Sequence, residues 1–245
     1  MWLEQVDCPP DGSLDSRIAI VGARPGREEK YEKRGFVGSS GRLLWRLFPI
    51  PRGECYVTNV RKDFSLVNDT PTKAEIHEAL PGLREELERT RANLIICLGG
   101  DALYALTGLT SIEKYRGSVV QSSLCPGRKV LATWHPAAAL RAYQLTYVIE
   151  RDLRRAIRES HYPDIKRPHR DYLLGPNFTN AITFLQGLGD PISVDIETFG
   201  ENPSCIAIAD SPNWAICIPF IGGHYTVSEL AYIWRVLDVS FRTKK

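Results

Sequence analysis

Several features that would assign this chain to a special class are absent. No stretch of its 245 residues approaches the roughly 18 apolar residues of a membrane span, so a transmembrane helix is excluded. The start, MWLEQVDCPP, has no apolar stretch behind a basic region, and no secretory leader is expected. Lysine and arginine number 31 against 29 acids, and a net charge of +2 does not by itself point to nucleic acid. A local basic run is still present at 151–170, with Arg151, Arg154, Arg155, Arg158, Lys166, Arg167 and Arg170. The six cysteines, Cys8, Cys55, Cys97, Cys125, Cys205 and Cys217, form no C-x-x-C pair. Free thiols in a reducing cytoplasm are the economical reading. Internal repeats and low-complexity tracts are also missing, which excludes a solenoid. What remains is ordinary globular composition, 43% hydrophobic and 24% charged, enough for a core without staples. The length allows one large domain or one and a half ordinary ones.

The periodicity alternates between strand and helix. Short apolar β-branched runs at 17–22, 55–60, 93–98, 118–123 and 129–133 read as strands. Helical spacing of Leu43, Leu44, Leu47 and Phe48 predicts a helix over 39–48, with Ser39 or Ser40 as N-cap. A longer helix is predicted over 72–91. Thr72 caps it, and Glu75, three residues on, closes a capping box. Further helices are expected at 101–106 and from 136 to about 160. This alternation predicts a three-layer α/β/α domain over 1–160 with a mainly parallel central sheet. Residues 161–175 read as a linker, with two prolines and no periodicity at 161–171. A second α/β segment follows over 176–245, with helices at 177–188 and 226–237 and strands at 191–197, 204–210 and 214–220.

Five short motifs stand where these strands end: GARPG (22–26), RGFVG (34–38), TNV (58–60), LGG (98–100) and TWHPAAALR (133–141). One edge of an open α/β sheet thus carries a glycine-rich turn, an aromatic, an amide and a histidine, at the place where such folds bind ligands. In this order the set resembles the uracil-DNA glycosylase superfamily, most closely its bacterial and archaeal family-four branch. The resemblance covers roughly residues 17–158 and implies a base-flipping enzyme. It implies that Phe36 stacks on uracil, that Asn59 reads its edge, and that His135 donates to O2 as negative charge develops there. An asparagine amide offers one acceptor and two donors, matching uracil O4 and N3–H but not cytosine. Gly22, Pro25 and Gly26 would form the water-activating turn, with Glu29 positioning the water. Ser39 and Arg42 would contact DNA, and Leu140 or Arg141 would wedge into the duplex.

Two departures from the family pattern stand out. Its usual turn is GEAPG, whereas here Ala23 replaces the glutamate and Arg24 follows. Many family-four enzymes hold an iron–sulfur cluster on four cysteines: two N-terminal, one just after the TNV strand and one in the next helix. Here Cys8 is the only N-terminal cysteine, and Lys62-Asp63 and Ala79 occupy the other two regions. No cluster is expected, and the loop 63–71 must be held another way or be mobile.

A separate signal, ISVDIET at 192–198, resembles the start of the proofreading 3′–5′ exonuclease domain of family A DNA polymerases. Asp195 and Glu197 alternate on one predicted strand, share a face, and by resemblance would help hold Mg²⁺ or Mn²⁺. Too few residues follow to supply the later acidic motifs. The expectation is a partial ribonuclease H-like module, inactive by itself, with an unpaired sheet edge. The whole is similar to bacteriophage replication proteins. The leading expectation is a monomeric, monofunctional uracil excision enzyme acting on DNA, attached to a replication module, since no lysine is placed as an amine nucleophile. The alternatives are a non-catalytic uracil- or DNA-recognition module of a polymerase, or an N-terminal adaptor of an exonuclease.

Overall fold

The computed structural model describes residues 7–67 and 70–244. Asn68 and Asp69, within the loop 63–71, lie outside the described residues, as do the first six residues and Lys245. The chain divides into two compact units, Met1–Ile165 and Lys166–Lys245.

In the first unit the order is β1 (Ile18–Gly22), α1 (Arg27–Glu32), α2 (Ser39–Leu47), β2 (Cys55–Asn59), α3 (Lys73–Glu88), β3 (Leu94–Leu98), α4 (Gly100–Thr107), α5 (Ile112–Tyr115), β4 (Val119–Gln121), β5 (Lys129–Thr133), α6 (Pro136–Arg141) and α7 (Leu145–Glu159). The sheet runs β2-β1-β3-β5-β4. Its first four strands are parallel, and β4 closes the edge antiparallel to β5. The alternation of side chains along the strands builds a core on each face. Ile18, Ile20, Leu94 and Ile96 pack with Leu43, Leu44, Ile149 and Leu153 from α2 and α7. Ala19, Val21, Ile95 and Cys97 pack with Ile76, Leu83, Leu87 and Leu103 from α3 and α4. The result is the expected three-layer α/β/α arrangement. Cys8, Cys55, Cys97 and Cys125 are buried in it as free thiols.

The capping box on α3 forms as read, with Thr72 and Glu75 bonding reciprocally. The cap of α2 differs. Gly38, not Ser39 or Ser40, is the N-cap, and no side chain caps that end. The extended backbone at Gly38 places both serines inside the first turn.

The second unit contains β6 (Asp171–Leu174), α8 (Phe178–Gln186), β7 (Ser193–Phe199), β8 (Asn202–Ser211), β9 (Trp214–Pro219) and α9 (Val227–Thr243). Residues 171–174, read as the end of the linker, are thus a strand, parallel to β9. Four residues are too few for periodicity to reveal it. The order β6-β9-β8-β7 leaves β7 at an edge, exposed along its whole length. Ile206, Ile208, Ile216 and Ile218 form one apolar face against Ala181, Leu185, Ile233 and Leu237 of α8 and α9. Among the described residues, no helix in either unit is long and apolar enough to cross a membrane.

Candidate active site

The carboxyl ends of β1, β2 and β5 open into one cavity of about 400 Å³, within the usual size range of small-molecule pockets. Its lining includes Pro25, Gly26, Glu29, Phe36, Asn59 and His135. Residues far apart in sequence converge because β1 and β2 are neighbours in exact parallel register, with Gly22 opposite Asn59.

Gly22 is required by close approach. A Cβ there would stand 2.4 Å from Asn59 Oδ1 and 2.6 Å from the Phe36 ring. Asn59 is buried at the strand end, and its backbone carbonyl accepts from Lys62 Nζ at 2.5 Å. Phe36 takes a left-handed backbone (φ 53°), strained for an aromatic residue. Two residues missed in the sequence hold it there. Trp45 Nε1–H donates to the Phe36 carbonyl at 3.0 Å. Gly41 lets that carbonyl lie where any Cβ would be 2.1 Å away. The signal was present, since Gly41 and Trp45 lie four apart on one helical face.

Glu29 stands on α1 in a highly charged run, REEKYE, yet it is buried. Its Oε1 accepts from the Gly38 backbone N–H at 3.0 Å. Gly26 leaves room for this carboxylate: a Cβ there would stand 2.6 Å from Glu29 Oε2 and displace it. A buried carboxylate therefore faces the cavity with acceptor capacity to spare.

His135 caps α6. Its Nδ1 accepts from the Ala137 N–H at 3.2 Å, which places the neutral ring's proton on Nε2. Burial pushes its pKa down to about 4; the Glu29 charge works against this shift and Arg141 works with it. The ring is thus a neutral donor at working pH, 6.1 Å from the Phe36 ring centroid. Behind it, Thr133 at the end of β5 donates to Asp152 Oδ2 at 2.9 Å, and Asp152 also pairs with Arg116. This anchor on α7 fixes the strand that delivers the histidine, and the sequence reading missed it.

Ser39 joins the cavity wall at the start of α2. Arg42 lies outside it, exposed, bonded to Glu28 Oε2 and the Val37 carbonyl, each at 3.0 Å. Leu140 and Arg141 are exposed at the end of α6 and do not line the cavity. Of the basic run, Arg154 pairs with Glu150, and Arg155 donates to the Gly117 carbonyl. Asp195 and Glu197 belong to the other unit. They lie opposite Ala207 and Cys205 on one face of β7, and both are exposed. Among the described residues no three His, Cys, Asp or Glu gather to hold a metal. Two carboxylates supply only part of a divalent-cation site, and no nuclease step follows from them.

The regions that hold the family's iron–sulfur cluster do not fit one here. Such a cluster needs four ligands, and these regions of the sequence offer one cysteine, the buried Cys8. Lys62 forms an ion pair with Glu86 at 2.8 Å, and Asp63 accepts from Arg61 at 2.6 Å.

The Uracil DNA glycosylase superfamily profile matches residues 9–159, which include every cavity residue described above. The chain is similar to the type-4 uracil-DNA glycosylase of Archaeoglobus fulgidus, 33% identical over 156 residues, covering 60% of this chain and 78% of that protein. It is similar to the type-4 uracil-DNA glycosylase of Thermotoga maritima, 35% identical over 153 residues, covering 60% and 79%. It also resembles a DNA polymerase of Bacillus phage SP01, 28% identical over 204 residues, covering 78% of this chain but 22% of the polymerase. The match spans well over half of the sequence and falls on the unit that carries the cavity: the chain belongs to the uracil DNA glycosylase superfamily.

Proposed function

We propose that this protein flips uracil out of DNA and hydrolyses the bond between base and sugar, leaving an abasic site. The observation that carries the reading is the contact of Gly22 with both Asn59 and Phe36, beside a neutral His135. A flipped pyrimidine would stack on Phe36 and present its N3–H and O4 edge to Asn59. His135 Nε2–H would donate to O2 as the leaving base gains negative charge. Glu29 would orient the water that attacks the sugar, its carboxylate held by the Gly38 N–H. Water attack leaves no covalent enzyme–DNA intermediate, so the reaction is monofunctional. Ser39 at the cavity mouth and Leu140 or Arg141 on α6 would meet the DNA, with Arg42 on the flanking backbone. A soluble monomer acting in the cytoplasm suffices for this chemistry.

The test is a labelled oligonucleotide with one uracil, incubated without metal and then treated with alkali. Cleavage only at uracil is expected, and His135→Ala should slow it by about 10²–10³-fold, the size of losing one such donor. A loss below about threefold would remove His135 from the reaction.

Ala23 favours a second reading, since it stands where the family carries a glutamate. In that reading the cavity recognises uracil without cutting, and the same assay would show tight binding with no cleavage.

For residues 176–245 the proposal is the start of an exonuclease-like module of a replication polypeptide. The similarity to the phage polymerase, 204 residues long against 151 for the family profile, supports it. Asp195 and Glu197 would contribute part of a Mg²⁺ or Mn²⁺ site. Calorimetry with Mn²⁺ should show weak binding that Asp195→Ala abolishes, and a titration without heat would remove the metal role.

A further inference from the structure

We infer that Arg24 is a positioning residue: its guanidinium clamps the cavity turn onto the start of α3 through Asp63 and Glu75. The inference rests on the glycosylase reading, because the turn it holds carries Pro25 and Gly26.

Arg24 follows Ala23, the position where the family's glutamate is missing. Its side chain is 6% exposed, and a charge so buried must be paired. It meets Asp63 at 3.4 Å and Glu75 in a closer contact. Glu75 is itself fixed. Its Oε2 accepts from the Thr72 N–H and hydroxyl at 2.8 and 2.9 Å, while Oε1 faces Arg24. These bonds, the Thr72 N–H first and Arg24 next, hold its carboxyl down at about 2. The turn is also laced along the backbone, with Val60 N–H bonded to the Gly22 carbonyl at 2.8 Å and Arg61 N–H to the Ala23 carbonyl at 2.9 Å.

The clamp belongs to a larger set of ion pairs. Arg61 bridges Asp63 and Glu78, at 2.6 and 2.8 Å. Lys62 meets Glu86, and its carbonyl accepts from the Asp7 and Cys8 N–H groups. Asp7 Oδ2 accepts from the Phe64 N–H at 2.9 Å. The tied segments are the N-terminal segment, the residues just after β2, and α3, the three that an iron–sulfur cluster would staple in a family-four enzyme. Charge pairs and hydrogen bonds together take over the staple, and Arg24 extends it to the cavity.

The test compares the full chain with Arg24→Gln, Arg24→Lys, Glu75→Gln and the double glutamine variant. Glutamine at 75 retains the capping box while removing the charge. On the single-uracil oligonucleotide, Arg24→Gln should lower kcat by about 10²-fold, as expected for a misplaced reacting group, with KM within about threefold. Lysine at 24 should restore part of the loss, and the double variant should be little worse than Arg24→Gln alone. Amide exchange should show the Arg61 N–H losing protection in Arg24→Gln while β3 keeps its own. A raised KM with unchanged kcat, additive effects, or unaltered Arg61 exchange would each overturn the clamp. Stoichiometric iron in protein expressed with iron and purified without air would overturn the exchange of cluster for ion pairs. Should the unsubstituted protein leave uracil intact, the glycosylase reading fails, while Arg61 exchange still decides the clamp. If Arg24→Gln does not fold, Arg24→Lys and Glu75→Gln carry the same comparison.

Discussion

Asn59 and His135 work at opposite moments of the proposed reaction, and their predictions differ accordingly. In that proposal Asn59 would read the base before the bond breaks. Asn59→Asp should therefore relax discrimination against cytosine, seen as cleavage of a cytosine-containing oligonucleotide; unchanged base preference would remove that role. In the same proposal His135 would act in the transition state, as a neutral donor. Its pKa of about 4 lies below the ordinary 6.5, so the unfolded chain takes up the proton first as pH falls. The stability this group contributes is complete above pH 6.5 and is lost as pH falls toward 4. An NMR titration of its ring should give a midpoint near 4, and a midpoint near 6.5 would mean that burial does not hold the ring neutral. Both stood out as candidates in the sequence because Asn59 ends β2 and His135 lies just past the end of β5, before the proline that opens α6. The sequence made Glu29 hard to read. Among the charges of REEKYE only the fold shows that one carboxylate turns inward to the Gly38 N–H. The left-handed backbone of Phe36 went unread too: Gly41 and Trp45 share a helical face in the sequence, but only the fold brings that face to the Phe36 carbonyl.

At the level of elements, the parallel strands of the first unit were readable because buried strands are short continuous apolar runs bounded by glycine or turns. The capping box made the start of α3 readable, and that helix continues through Pro81. The short helices α1 and α5 went unread because four to six residues carry no usable period. Strand β6 escaped for the same reason. The link between α7 and β5 was also hidden, as it depends on one buried carboxylate reaching across layers. Asp152 is almost fully enclosed and meets Thr133, Arg116 and, closely, Gly117. Asp152→Ala should cost about 1–3 kcal/mol in urea unfolding, because it strands the buried Thr133 hydroxyl while Arg116 stays partly solvated. A cost below about 1 kcal/mol would mean water replaces the carboxylate freely.

On the scale of the molecule, the division into Met1–Ile165 and Lys166–Lys245 separates the cavity from the strand that carries Asp195 and Glu197. The first unit has its own two cores, which predicts that a fragment ending at Ile165 unfolds cooperatively and cleaves uracil-containing DNA at an unaltered rate. Loss of activity in that fragment would show that the second unit contributes to the reaction. The cysteines supply a way to watch the units separately. Burial holds the thiols of Cys8 and Cys125 up at about 11 and those of Cys55 and Cys97 at about 12, so at neutral pH all four are protonated and enclosed. Cys205 and Cys217, in the second unit, are only half-buried. A thiol-reactive dye added to the native chain would tag Cys205 first, then Cys217, whose thiol is held up by burial and by Cys205, and the other four only when the first unit opens. The slow phase is a clock for that opening, built in and needing no engineered label.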